Sequence, residues 1–128
     1  MRANYLIPGL LLVTLTAFAA EPHGVVLDRP IGEVSRTLMT RLPALASDGM
    51  CEAERESNGW DFQFRLKADK ATADEVHVSV RAAAGNKTEL KVMGVRIESA
   101  MITSKRSANP ELSQEWIERI RKLIEEPG

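Results

Sequence analysis

The chain has 128 residues, 17 of them basic and 18 acidic, with a net charge of −1, two histidines and one cysteine. That length is one ordinary domain, and the near-zero charge excludes a protein that grips nucleic acid by neutralising many phosphates. One cysteine excludes an internal disulfide, and 44 % hydrophobic with 27 % charged residues describes a globular chain that rests on its own core.

Residues 1–20 read MRANYLIPGLLLVTLTAFAA. Arg2 and the free amine form a short positive region, Tyr5 to Phe18 is almost wholly apolar, and Ala17-Phe18-Ala19 supplies the small residues that signal peptidase reads. The apolar run is shorter than the roughly 20 residues of a membrane-spanning helix and is interrupted by Pro8-Gly9. This predicts a signal peptide over 1–19 and a single domain over 20–128, with cuts after Ala19 and after Ala20 both fitting. The mature chain is expected to lack a transmembrane segment and to be periplasmic or secreted.

Val25 to Leu27 predict a short strand, and Asp28-Arg29-Pro30 leads into a helix, where proline loses nothing by lacking an N–H. Ile31, Val34, Leu38, Leu42 and Leu45 recur at helical spacing, and Pro43 should end or kink that helix. Asn58-Gly59 is a type I′ hairpin signal. A two-residue loop there pairs Arg55 with Phe62, Ala53 with Phe64 and Cys51 with Leu66, and puts Trp60 on the same face. Val76, Val78, Val80 and Ala82 alternate with polar residues as a third strand. A three-residue loop over Gly85–Lys87 joins it to a fourth strand carrying Leu90 and Val92. The inward set then shifts parity to Val95 and Ile97, which predicts a β-bulge at Met93-Gly94. Residues 104–108 read as a polar loop. Asn109-Pro110-Glu111 opens a last helix with a buried stripe of Leu112, Trp116, Ile117, Ile120, Leu123 and Ile124. Glu115 with Arg119 and Glu118 with Lys122 stand four apart on its wet side.

These elements predict an α+β fold, a two-layer sandwich. An antiparallel four- to five-stranded meander carries the N- and C-terminal helices on one face, and its other face is polar.

The order of elements, with Asp28-Arg29-Pro30 leading into Glu33-Val34, resembles the opening of START-like helix-grip domains. It is similar as well to small secreted helix, four-strand meander, helix domains such as modules of envelope lipoproteins. The helix-grip resemblance implies a curved sheet gripped by a long C-terminal helix and a ligand cavity between them. No functional residue carries over from it.

Few residues invite chemistry. His23 near the new N-terminus is not a copper or nickel site, because Pro22 has no amide proton to lose. His77 falls on the polar sheet face with Glu52, Glu54 and Glu56, a donor set that suits zinc, yet Arg65 and Arg81 share that face and a solvated surface is the simpler account. Cys51 is expected inward and inert. Arg55 is expected to lie over the Phe62 ring. No nucleophile–base pair, phosphate loop or cofactor motif is present, so no catalytic residue, metal ligand or cofactor is assigned. The expected function is a non-catalytic envelope module that binds another protein or macromolecule. The alternative is a carrier of a small apolar or lipid ligand between sheet and C-terminal helix, which would set Arg55, Trp60, Phe62 and Trp116 against the ligand.

Overall fold

The computed structural model describes residues 23–66 and 71–126, and the expected signal peptide lies outside them. In chain order come β1 (His23–Leu27), α1 (Ile31–Arg41), a 3-10 turn (Leu42–Leu45), β2 (Cys51–Glu56), β3 (Gly59–Arg65), β4 (Thr72–Ala83), β5 (Lys87–Ala100), β6 (Thr103–Ala108) and α2 (Pro110–Glu125). The strands form one antiparallel sheet, with β5, β4, β3 and β2 side by side in that order. The outer edge of β5 is shared: β1 pairs with its first half and β6 with its second. No helix among the described residues is long and apolar enough to cross a membrane.

Alternation sorts the side chains. Leu27, Phe62, Phe64, Val76, Val78, Val80, Leu90 and Val92 are buried on one face. They form a single core with Val34, Leu38, Leu42, Trp116, Ile117, Ile120 and Ile124 of the helical layer. The two-layer α+β expectation therefore holds, with six strands rather than four or five. Pro43 ends α1 as expected by turning the chain into the 3-10 segment. Asn109 caps α2, its side chain accepting from the Leu112 amide at 3.2 Å. Glu115 and Arg119 pair at 3.6 Å, whereas Glu118 reaches Arg121, three residues on, instead of Lys122.

Three local expectations fail. The first hairpin turns at Ser57-Asn58, so Arg55 faces Trp60, Ala53 faces Phe62 and Cys51 faces Phe64. None of Ser57, Asn58 and Gly59 has a positive φ, so the turn is not type I′. The β4–β5 loop has three residues but spans 84–86, with Gly85 and Asn86 at positive φ, and Val80 pairs with Leu90. Both pairings sit two residues away from the expected register, which leaves Phe62, Phe64, Val78, Val80, Leu90 and Val92 on their expected face. The second failure is the bulge. The β4–β5 ladder runs unbroken from Thr72↔Glu98 to Ala83↔Lys87, so Val95 and Ile97 lie on the face away from the helices. Gly94 is small for another reason: its amide donates to Ser113 Oγ at 2.7 Å, and a Cβ there would meet Leu112 at 2.6 Å. The third is residues 104–108, which form most of β6. Two hydrophilic faces gave that strand no apolar alternation to read, and pairing to β5 makes it.

Candidate functional site

The face of the sheet away from the helices carries Glu52 and Glu54 of β2, Asp61, Gln63 and Arg65 of β3, and Glu75, His77, Ser79 and Arg81 of β4. It continues with Lys91 and Met93 of β5 and Arg106 of β6. Over its middle lies a hollow of about 720 Å³, whose lining includes Glu54, Gln63, His77, Ser79, Lys91 and Met93. That volume falls within the roughly 300–1,000 Å³ of small-ligand sites.

The charges on this face are not equivalent. Arg81 is fixed at three points: Nη1 donates to the Trp60 and Val80 carbonyls at 3.0 and 2.9 Å, and Nη2 to Asp61 Oδ1 at 2.9 Å. Asp61 is thereby neutralised. Glu52 and Glu54 enter no ion pair among the described residues, and Lys91 stands 3.9 Å from Glu89. The wall formed by β2 therefore offers free carboxylates, while the β5 side offers an amine.

Glu75 is the exception on this face, being only 1 % exposed. Arg65 Nε donates to its Oε2 at 3.0 Å, and Arg106 Nη1 to its Oε1 at 3.0 Å. His77 Nε2 lies 3.2 Å from the same Oε1. Burial pushes the Glu75 carboxyl up, but the hydrogen bonds from Arg106, His77 and Arg65 outweigh it and hold the pKa below the ordinary glutamate value. A carboxyl with a lowered folded-state pKa stabilises fully above its unfolded value, and that stability is lost as pH falls through the folded value. Glu75→Gln is thus expected to be less stable than the parent near neutrality, and the gap should close below about pH 4. Urea unfolding at the two pH values checks this. A gap of the same size at both would mean that the ionised carboxylate contributes nothing.

Of the four residues set against a ligand by the carrier alternative, two lie in the core and two nearer the surface. Phe62 and Trp116 are buried in the core. Trp60 is half-buried and stacks on Phe62 with ring centroids 6.2 Å apart. Arg55 is exposed, and its guanidinium lies 6.0 Å from the Trp60 ring, not over Phe62, because of the two-residue register difference. Cys51 is half-buried, and burial raises its thiol pKa, which keeps it a poor nucleophile. Among the described residues no three His, Cys, Asp or Glu side chains converge as metal ligands. The hydroxyls of Thr40, Thr88, Thr103 and Ser113 donate to backbone carbonyls.

Sequence reasoning saw this charged face and missed its organisation. The β3–β4 register, with strand alternation, places Arg65, Glu75 and His77 together. Arg106 was hidden because its strand read as a loop. No protein-family model, curated protein or solved structure matches the chain.

Proposed function

We propose that this chain is an exported envelope protein, periplasmic or secreted, which binds a polar ligand or partner segment on its open sheet face and is not a catalyst. The observation that carries this is the asymmetry of the sheet: one face is covered by both helices, and the other holds a hollow of about 720 Å³ lined by charged and polar side chains. The space that a carrier would use between sheet and α2 is occupied by Phe62, Phe64, Trp116, Ile117 and Ile120. Export rests on the sequence of residues 1–19 and is checked separately. Protein from the native host should begin at Ala20 or Glu21, and an intact N-terminus on cytoplasmic protein would remove that part.

Ser79 is half-buried at the centre of β4 and lines the hollow, so Ser79→Trp should fill it without touching the core. In cross-linking within the native envelope, an adduct formed by the parent should fall at least tenfold with the folded variant. The same adducts with both proteins, or none with either, would remove this reading. Glu54→Ala, at an exposed residue, should change stability by no more than about 0.5 kcal/mol. A cost several times larger in chemical denaturation would mean that the face is permanently covered by another chain.

A further inference from the structure

Beside the hollow, on the same open face, a single carboxylate is held by two arginines that reach it from strands on either side of β4. Arg65 reaches Glu75 from the adjacent β3, whereas Arg106 reaches it from β6, across the whole width of β5. On the part of β5 that Arg106 must cross, Val95 and Ile97 are each only 8 % exposed. Each arginine commits one N–H to Glu75, and His77 occupies the remaining approach to Oε1.

One guanidinium would neutralise one carboxylate. Here there are two, and neither has another acidic partner among the described residues. Among the described residues the cluster therefore keeps an uncompensated positive charge, and two like charges stand on opposite oxygens of the same group at a repulsive cost. The arginine side chains remain 58 % and 55 % exposed although Glu75 is buried, and each has only one nitrogen bonded to that carboxylate. Planar guanidinium forks locked in place by a buried anchor suit the two oxygens of an incoming carboxylate or phosphate.

We infer that Arg65 and Arg106, fixed by Glu75, form a clamp for the oxyanion of a carboxylate- or phosphate-bearing ligand. This deepens the reading of the open face as the binding surface and rests on it. His77 contacts Glu75 and also lines the hollow, so a ligand held at the clamp continues over Gln63 and Met93.

The test is a titration of the folded protein with inorganic phosphate and, separately, acetate at constant ionic strength, following the Nε–Hε resonances of Arg65 and Arg106 by NMR. Saturable shifts are expected with a Kd of about 1–10 mM for at least one anion. The tighter of the two identifies the source class. Arg106→Gln should weaken binding at least tenfold, while Arg96→Gln, on the helix-side face beside Asp74, should leave it unchanged. Should Arg106→Gln fail to fold, Arg106→Lys keeps the charge and loses the fork, and is expected to weaken binding several-fold. Shifts that rise linearly with both anions, or an affinity unchanged in the folded Arg106 variants, overturn the clamp. Ser79→Trp separates the two levels, because it should abolish partner capture and leave phosphate binding intact. Partner capture without saturable anion binding removes the clamp alone, and saturable anion binding without partner capture removes only the wider reading.

Discussion

Phe64→Ala is expected to cost about 3–5 kcal/mol, the range for truncating a buried aromatic. Phe64 is 2 % exposed, and its ring meets Trp116 edge-on, with centroids 5.3 Å apart and planes at 69°. Nothing nearby can move in to fill the gap. Its partners in the sheet are Cys51 and Val76, both smaller, and the ladder holds them in register. On the other side α2 is tied at its start, where the Asn109 amide donates to the Gly94 carbonyl and Gly94 donates to Ser113. A helix anchored there cannot settle onto the sheet, so the lost volume persists as a cavity. Against a total stability of about 5–15 kcal/mol for a domain, the loss is a large fraction. Urea denaturation measures it. A cost below about 1 kcal/mol, with saturable binding of an apolar fluorescent probe to the parent protein, would instead indicate an interior with spare room and favour the carrier.

The core was legible because a two-residue error is invisible to it. Side chains in a strand repeat every second residue, so misplacing each hairpin turn by one position, which shifts the pairing by two, still put Phe62, Phe64, Val78 and Leu90 on the helix side. What the sequence could not convey was where a strand changes its customers. Val95 and Ile97 are apolar, and assigning every apolar residue to one face required a bulge. They belong instead to the open face, beside Glu75 and along the path of Arg106. The same limit hid the candidate site. A glutamate at position 75, just ahead of the alternating valines, reads as a solvated residue. Its burial depends on Arg106, 31 positions away on a strand whose composition of Ser, Lys and Arg resembles a loop. Long-range ion pairing leaves no periodic trace in a sequence, whereas hydrophobic burial does.

Gly59 is expected to tolerate no side chain, and the cause is steric contact rather than turn geometry. In a type I′ turn its glycine would be required by positive φ, and asparagine would be a mild replacement. In this hairpin Gly59 has no positive φ. It opens β3 opposite Arg81 of β4, and a Cβ built on it would collide with the Val80 carbonyl oxygen and stand 3.0 Å from Arg81 Cα. Those atoms are backbone, pinned on one side by the β4–β5 ladder and on the other by the Ala82 amide, which donates to the Asn58 carbonyl at 2.8 Å. Neither can retreat without breaking strand pairing. Any side chain at position 59 therefore fails, whatever its backbone preference. Gly59→Ala and Gly59→Asn are both expected to cost about 3 kcal/mol or more, at or beyond the upper end of ordinary overpacking. Asn58→Ala, at an exposed residue whose hydrogen bond uses only its carbonyl, should stay within about 0.5 kcal/mol. Thermal and urea unfolding of the three variants separates the two causes. A tolerated Gly59→Asn beside a damaging Gly59→Ala would restore the positive-φ turn, and with it the pairing of Arg55 with Phe62.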